Sequence, residues 1–365
     1  MQTGVLITGG AGFIGSHLAD ELLRCGYRVR VLDSLVEQVH ANGRPDYLDP
    51  EVELLLGDVR DRDALDRALE GVDAVVHLAA RVGVGQSMYE IAEYTDANSA
   101  GTATLLEALL DRSVSRLVVA SSMSVYGEGL YLDPDGEPVV DAARTRAQLA
   151  RADWEPRPGL RPVPTPEWKA PSLASVYALT KYDQERLCLI WGENYEVPTV
   201  ALRFFNVYGP RQALSNPYTG VLAIFAARLL NGNPPLVFED GEQRRDFVAV
   251  HDVARAIRLA LDADPAAGRV LNVGSGRSVS VREIAALLAD ALDVEIEPVL
   301  TGRARAGDIR HCFADVELAR ATLGFEAKVE LEDGIAELVE WLADQRPDDK
   351  VEAARAELER RGLTL

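Results

Sequence analysis

Short apolar runs alternate with helix-like repeats of apolar residues through the first half of this sequence. The run at 5–7 is followed by apolar positions at helical spacing between 14 and 23, and a second helix-like repeat lies at 98–110. Further segments predicted to form strands lie at 28–32, 53–56, 74–78 and 117–120. Such alternation is typical of a parallel sheet that helices cover on both faces. The pattern therefore predicts an α/β fold with a doubly wound parallel sheet.

The alternation stops between 128 and 172, where the sequence carries eight prolines and many charged residues. An insertion of this length inside a compact domain is often functional. It lies in the chain between Ser122 and Tyr177. Two interpretations stay open: the insertion is a lid that borders a substrate, or it is a surface excursion without a catalytic role.

The second half of the chain has a different organisation. Apolar runs at 199–202 and 271–274 predict two more strands, and repeats at 281–292 and 331–343 predict amphipathic helices. We expect a first domain at 1–200, which includes the insertion, and a smaller mixed α/β domain at 201–345. Some segments of that second domain can return to the first. The segment at 346–365 is charged and is expected to form a surface helix.

The composition limits the partners of the protein. Its 365 residues include 38 Lys and Arg against 58 Asp and Glu, a formal net charge of −20. Such acidity argues against nucleic acid or an anionic membrane as a partner. Cys25, Cys188 and Cys312 are isolated, so neither a disulfide framework nor a cysteine-based metal site is expected. We expect no metal, no membrane segment and a cytoplasmic location, because no charged-then-apolar leader opens the chain.

A glycine-rich loop follows the first apolar run. Gly9, Gly12 and Gly15 have the spacing that lets a backbone turn tightly and approach a pyrophosphate at a helix N-terminus. The next predicted strand ends at Asp33, about 18 residues beyond Gly15, where an acid can bind an adenosine ribose. Strand, loop, helix, strand and acid in this order predict a Rossmann domain that binds a dinucleotide. Because Asp33 repels a 2′-phosphate, NAD is expected rather than NADP.

Tyr177 and Lys181 form a second candidate site. Their spacing places a phenol and an ammonium on one face of a helix, one turn apart. A nearby cation favours a phenolate, so the pair can serve as a base near neutral pH. Open parallel sheets bind ligands beyond the carboxyl ends of their strands, which places Asp58 and Ser122 on the same edge.

Taken together, these motifs resemble an extended short-chain dehydrogenase/reductase, specifically a nucleotide-sugar epimerase/dehydratase. The match runs from Thr3 to about Leu342. The motifs that carry it are the glycine loop, Asp33, 57–59, 77–80, 98–102, 121–127, Tyr177 with Lys181, 203–210 and 245–247.

The resemblance implies a role for each matching residue. Ser122 and Tyr177 would be the acid/base pair at a sugar hydroxyl, and Lys181 would hold the nicotinamide ribose and lower the pKa of the phenol. The residues implied in NAD binding are Gly9, Gly12, Phe13, Ile14, Gly15, Asp33, Asp58, Val59, Leu78, Ala79, Ala80, Asn98, Tyr177 and Lys181. Those implied in binding a nucleoside-diphosphate sugar are Val82, Val84, Ser122, Asn206, Arg245, Arg305 and Asp308.

One departure from the family pattern narrows the implied reaction. Similar 4,6-dehydratases carry an Asp-Glu pair just before Val-Tyr-Gly, and similar decarboxylases carry a glutamate there, whereas this chain has Met123 and Ser124. Elimination of water across C5–C6 needs an acid/base at that site. We therefore expect NAD-dependent epimerisation at C4 through a transient 4-keto sugar rather than dehydration or decarboxylation.

The sugar is less closely defined. The insertion, 215–220 and 307–311 look most like 4-epimerases that act on dTDP-L-rhamnose and related deoxysugars, and Val82 and Val84 would suit a C6 methyl group. UDP-glucuronate and UDP-glucose or UDP-galactose epimerisation stay open, as does a non-catalytic NAD or sugar-nucleotide sensor. The family also implies a homodimer that pairs the helices at 98–110 and 175–191.

Overall fold

The computed structural model of the protein describes residues 2–40 and 43–365. Its centre is a sheet of seven strands that are all parallel, in the order β7-β6-β5-β4-β1-β2-β3. These strands are β1 (Gly4–Thr8), β2 (Arg28–Asp33), β3 (Glu53–Leu56), β4 (Ala74–His77), β5 (Arg116–Ser122), β6 (Thr199–Phe204) and β7 (Val270–Val273). The order reverses between β1 and β4, which opens a crevice at the carboxyl ends of the strands. The predicted doubly wound parallel sheet is confirmed.

Helices cover both faces of this sheet, as the apolar periodicity predicted. Phe13–Arg24 packs with Val250–Asp262 on one face, and the other face carries Arg62–Ala68, Gly101–Leu109 and Val176–Asn194. Two separate apolar cores result, one on each side of the sheet.

The helix predicted at 98–110 begins earlier in the structure. Ile91–Tyr94 is already helical, and a wider π-helical segment, Thr95–Ala100, joins it to Gly101–Leu109. Apolar periodicity could not reveal this start, because 95–100 is largely polar. Asn98, inside the π segment, is fully buried. π-helical segments of this kind are frequent at functional sites.

The second half of the chain builds a smaller mixed α/β unit and also returns to the first. Val221–Leu230, Val281–Ala291 and Leu331–Leu342 share an apolar core. A capping box at Ser280 and Glu283 starts the second of these helices. Strands β6 and β7 instead complete the central sheet.

Short elements complete the chain. The remaining strands are Leu130–Leu132, Pro138–Val139, Arg161–Val163, Asn206–Tyr208, Leu236–Val237, Arg244–Arg245, Phe247–Ala249, Val279–Ser280, Val299–Leu300 and His311–Cys312. The remaining helical segments are Val84–Ser87, Met123–Tyr126, Arg146–Leu149, Asp264–Ala266, Glu317–Leu323 and Val351–Arg360.

The insertion at 128–172 is fastened to the second unit by buried ion pairs. The guanidinium of Arg310 lies 3.0 Å from Glu239 and 2.7 Å from Glu155 of the insertion. Arg144 of the insertion reaches the same Glu239 at 2.7 Å. The side chains of Arg310, Arg144 and Glu239 are all at most 2% exposed. The insertion is therefore held in place by charges rather than by a large apolar core.

The C-terminal helix is more than a surface element. Leu358 on this helix is buried, and an added Cβ at Gly85 would lie 3.5 Å from it. Beyond the helix, the backbone amides of Ala304 and Ala306 donate to the carbonyls of Leu365 and Leu363. Across residues 2–40 and 43–365, no helix combines the length and apolar character needed to span a membrane.

Candidate active site

The glycine loop is shaped by close backbone packing. Gly9 has a φ of +70°, and a Cβ there would lie 2.8 Å from the Cα of Ala79. At Gly15 a Cβ would lie 2.5 Å from the Cα of Gly10. Gly12, which caps the helix Phe13–Arg24, instead meets only one atom, the carbonyl of Gly9 at 3.4 Å. The loop is thus tightly packed at Gly9 and Gly15 and open at Gly12. We call it the glycine cradle, and its shape fits a pyrophosphate against the helix N-terminus.

Asp33 stands at the end of β2 beside this cradle. Its two carboxylate oxygens accept hydrogen bonds from the backbone amides of Ala11, at 3.0 Å, and Leu35, at 2.9 Å. The ring of His40 approaches to 4.0 Å, and burial lowers the pKa of this imidazole while Asp33 opposes the shift. A carboxylate can accept about four hydrogen bonds, so Asp33 keeps capacity for ribose hydroxyls.

Asp58 follows β3 on the same edge of the sheet. Its carboxylate pairs with the guanidinium of Arg60 at 2.7 Å, and Arg60 also reaches Asp96 at 2.6 Å. The hydrogen bond from Arg60 holds the pKa of Asp58 below its usual value, against the effect of burial. Asp58 is therefore a fixed anion at the edge of the sheet where NAD binding is expected.

Tyr177 and Lys181 lie in the first turns of the helix Val176–Asn194. The hydroxyl of Ser175 caps this helix by accepting from the amide of Ala178 at 3.1 Å. Burial raises the pKa of Tyr177 to about 12, and a hydrogen bond with Ser122 opposes the shift. This direction is opposite to the lowering expected from the sequence, because burial outweighs the opposing hydrogen bond with Ser122. Burial also lowers the pKa of Lys181 to about 8.

A buried polar network stands behind Lys181. Its ammonium donates to the side-chain oxygen of Gln184 at 2.7 Å. The amide nitrogen of Gln184 donates to Thr102 at 2.8 Å and lies 3.0 Å from the ring of His77. Burial lowers the pKa of His77 to about 3, so this ring is neutral in the network.

The crevice at the strand ends is a cavity of about 490 Å³. It brings together most of the residues that the sequence singled out. Those that line it are Gly9, Gly12, Phe13, Ile14, Gly15, Asp33, Asp58, Val59, Leu78, Ala79, Ala80, Val82, Val84, Ser122, Tyr177, Lys181 and Asn206. The glycine cradle, the acid beyond β2 and the volume fit NAD. Residues 128–172, all of which are described, contribute nothing to this lining.

Four predicted residues stand outside the cavity lining. Asn98 lies behind it and accepts from the amide of Arg81 at 2.7 Å. The guanidinium of Arg245 is turned to backbone carbonyls, including that of Arg310 at 3.0 Å. Arg305 and Asp308 pair with each other at 2.9 Å. In this arrangement Arg245, Arg305 and Asp308 therefore do not share the cavity with Tyr177.

Several cavity residues were missed by the sequence analysis. Gln212 and Tyr218 line the wall near Asn206, and Gln212 is only 7% exposed. Within the described part of the chain its side-chain oxygen has no hydrogen-bond partner. Gln184 could have been noticed from its position three residues after Lys181, where a helix places it on the same face. Nothing in the local pattern identifies Gln212.

Comparisons with known proteins indicate the same family as the sequence motifs. The profile of the NAD dependent epimerase/dehydratase family matches residues 5–148 and 159–274. A dTDP-L-rhamnose 4-epimerase of Burkholderia thailandensis is 38% identical over 93% of this chain and 95% of its own length. A putative UDP-glucose 4-epimerase of Methanocaldococcus jannaschii is 32% identical over 93% and 98%. The crystal structure of UDP-glucuronic acid 4-epimerase from Bacillus cereus, with UDP-glucuronic acid and NAD, matches with a TM-score of 0.79 at 27% identity, covering 93% of this chain and 99% of that one.

Proposed function

This chain belongs to the NAD dependent epimerase/dehydratase family, and from that premise we propose that it inverts C4 of a nucleoside-diphosphate sugar. The family expected from the sequence motifs is confirmed, and NAD is the cofactor. The proposed substrate is a dTDP-6-deoxyhexose such as dTDP-L-rhamnose. The relative that acts on this sugar is 38% identical to the chain.

One observation carries the proposal: the candidate base shares a cavity with the cofactor cradle. Tyr177, Ser122 and Lys181 line the cavity that the glycine loop and Asp33 also line. A hydroxyl of a bound sugar can therefore meet the phenol on the same side as a nicotinamide ring. This proximity is what proton and hydride removal from one carbon requires.

Each residue has a defined part in the proposed reaction. The glycine loop and Asp33 would hold NAD, which would supply the hydride acceptor for C4 and the hydride donor for the opposite face of the 4-keto sugar. Tyr177 takes the proton of the C4 hydroxyl and gives it back, while Ser122 holds the same oxygen. Because burial raises the pKa of Tyr177, the phenol depends on positive charge beside it. Lys181 supplies that charge and holds the ribose.

The residues after β5 favour epimerisation over elimination. Ser124 donates its hydroxyl hydrogen to the oxygen of Ser122 at 2.9 Å, so it supports the proposed acid/base partner. Met123 has no ionisable group. Neither side chain protonates a leaving hydroxyl well. The second candidate, a 4,6-dehydratase or decarboxylase, lacks its acid at this place.

The charges of the cavity favour a neutral sugar over a uronate. Arg81 and Arg60, which line it, are paired with Glu90 at 3.2 Å and with Asp58 at 2.7 Å. Lys181, the third lysine or arginine in the described lining, lies beside the proposed base. A carboxylate at C5 would have to compete for these cations, whereas a methyl group can rest on Val82 and Val84. UDP-glucuronate and UDP-glucose or UDP-galactose remain the alternative substrates.

The anchoring of the substrate and the assembly state are part of the same proposal. Asn206, in the cavity lining, is placed to meet the diphosphate. Arg245, Arg305 and Asp308 would join it if their side chains turned from their present partners toward the cavity. We also propose a homodimer, because Leu179 and Ile190 of the helix Val176–Asn194 are about half exposed, at 53% and 49%. Sedimentation of the purified protein tests this assembly.

The experiment is a substrate panel with a matched variant. Wild-type protein is incubated with dTDP-L-rhamnose, UDP-glucose and UDP-glucuronate, and isomers of equal mass are separated chromatographically. We expect a C4 epimer from dTDP-L-rhamnose, and none from Tyr177→Phe at equal NAD content. A stable 4-keto-6-deoxy product, or full activity in Tyr177→Phe, would refute the proposal. NAD binding without turnover of any sugar would instead support a sensor.

A further inference from the structure

Gln184 is a buried residue that accepts a hydrogen bond from Lys181. It is 0% exposed and lies three residues after Lys181 on the same helix. We propose that Gln184 is a positioning residue, which aims the Lys181 ammonium at the cofactor and leaves its positive charge available to Tyr177. This inference rests on the proposed function and assigns a residue to it that neither family motifs nor cavity lining identify.

Only one orientation of the Gln184 amide satisfies its surroundings. On one side the Lys181 ammonium, which can only donate, needs an acceptor. On the other side the carbonyl of Ala79, 3.3 Å from the amide nitrogen, can only accept. Thr102 also accepts there, because its own hydroxyl hydrogen goes to the carbonyl of Asn98 at 2.6 Å. The side-chain oxygen of Gln184 is therefore committed to Lys181.

This contact uses only part of the hydrogen-bonding capacity of the Lys181 ammonium. An ammonium has three N–H donors, and the bond of 2.7 Å to Gln184 uses one of them. Lys181 lines the cavity, so its other two donors can be directed to the paired hydroxyls of a ribose. Without the amide, a flexible four-carbon side chain would have to be ordered by the ligand itself, which weakens binding.

The acid next to Gln184 is neutralised elsewhere. Glu185 receives two hydrogen bonds from Arg203, at 2.7 and 2.9 Å, and one from Ser121 at 2.7 Å. Its charge is therefore paired with Arg203. Two successive residues therefore have different partners: the neutral amide of Gln184 contacts Lys181, and the carboxylate of Glu185 contacts Arg203.

Two other titratable groups near Lys181 are uncharged. Burial lowers the pKa of His77 to about 3 and raises the pKa of the Cys188 thiol to about 12. Tyr177, a further titratable neighbour, is the group on which the Lys181 charge is meant to act. Since epimerisation returns the proton that it removes, these residues need not carry protons to water. Lys181 is therefore the cation of this network, and Glu185, which raises its pKa against the effect of burial, is itself paired with Arg203 at 2.7 Å.

The test uses two substitutions at Gln184 and a charge-matched control. Gln184→Glu keeps the acceptor but adds a negative charge, and Gln184→Met removes the hydrogen bonds at similar volume. Arg67→Gln changes the charge by the same amount at an exposed site outside the proposed dimer contact. The readouts are the pH profile of kcat/KM and the NAD dissociation constant of cofactor-depleted protein, measured by calorimetry.

We expect Gln184→Glu to move the acid limb of the profile up by about one pH unit, because an anion opposes deprotonation of Tyr177. Gln184→Met should lower kcat about 10- to 100-fold and weaken NAD binding about 10-fold, through loss of the ordered ammonium. Arg67→Gln should match wild type in both readouts. If a Gln184 variant does not fold, Thr102→Val removes one amide partner and should show a smaller loss of NAD affinity.

The outcomes separate this inference from the proposed function. Wild-type profiles and NAD affinities in folded Gln184 variants, with Tyr177→Phe inactive, would overturn the role of Gln184 alone. If Thr102→Val is measured in place of a Gln184 variant that does not fold, an unchanged NAD affinity would also overturn the role of Gln184. Epimerisation by Tyr177→Phe would overturn the proposed function, whatever the Gln184 variants do.

Discussion

The hydroxyl of Ser124 donates a hydrogen bond of 2.9 Å to the hydroxyl oxygen of Ser122 at the end of β5. The amide of Ser124 donates to the same oxygen at 3.2 Å. With two donors on its oxygen, Ser122 is left to direct its own hydrogen toward the cavity. The residue that replaces the usual carboxylate thus serves the acid/base pair instead of a second reaction.

Substitutions at these two serines should lower kcat by different amounts. Ser122→Ala removes a group that contacts the reacting oxygen, and kcat should fall about 100-fold or more. Ser124→Ala removes only one of two donors to Ser122, and kcat should fall less than about 10-fold. Steady-state kinetics with the best sugar of the panel measures both. Equal losses would mean that Ser124 itself takes part in proton transfer.

The glycine cradle offers a pair of matched alanine substitutions. Gly15→Ala places a Cβ 2.5 Å from the Cα of Gly10, so both the melting temperature and NAD affinity should fall. At Gly12 a Cβ meets only the carbonyl of Gly9 at 3.4 Å, on the open side of the loop. Gly12→Ala should therefore keep the melting temperature within a few degrees and weaken NAD binding about 10-fold or more. Calorimetry and thermal unfolding without NAD distinguish the two; undiminished NAD affinity in Gly12→Ala would place the pyrophosphate elsewhere.

The buried ion pairs of the insertion should contribute strongly to stability. Arg310→Met leaves Glu239, whose side chain is 0% exposed, with Arg144 as its remaining partner. The free energy of unfolding should fall by about 3–5 kcal/mol. Arg277→Met, which breaks an exposed pair with Glu332 at 2.8 Å, should cost at most about 1 kcal/mol. Denaturant unfolding compares them, and similar values would contradict a structural role for the buried cluster.

Stability should decline on the acid side because two histidines are buried in neutral form. Burial lowers the pKa of both His17 and His77 to about 3, below the ordinary value of 6.5. Between these values the unfolded state binds more protons, so the free energy of unfolding falls as pH falls. Each histidine contributes about 1.4 kcal/mol per pH unit.

Denaturant unfolding at pH 6.5 and pH 5 tests this dependence. His17→Gln keeps a donor for the carbonyl of Pro210, which the ring contacts at 3.1 Å, and removes one of the two titrating groups. Its free energy of unfolding should fall less steeply with falling pH than that of wild type, because about one fewer proton is taken up on unfolding. A slope equal to that of wild type would show that His17 is not buried in neutral form.

The fold could be predicted because the decisive signals are local. Each apolar run is only a few residues long, the three glycines of the loop are close together, and Asp33 lies about 18 residues beyond Gly15. Parallel order then follows from the alternation of strands and helices. The pairing of Tyr177 with Lys181 was visible for the same reason, since a helix fixes its own geometry.

Contacts between distant segments could not be predicted. Arg245 was expected at a diphosphate, but its guanidinium is directed to carbonyls more than 60 residues away in the chain. The insertion gave no pattern because its position depends on Arg310, which follows it by about 140 residues. The rise in the pKa of Tyr177 was missed because burial depends on packing that the sequence does not display.

The most direct test of the central claim follows an isotope at C4. A nucleoside-diphosphate sugar deuterated at C4, beginning with dTDP-L-rhamnose, is incubated with the protein in ordinary water, and both isomers are analysed by mass spectrometry and NMR. Hydride removal and return at one carbon predict a 4-epimer that keeps its deuterium at C4. A 4-epimer that has exchanged its deuterium for solvent hydrogen would contradict the account, because the proton on carbon would then have come from water.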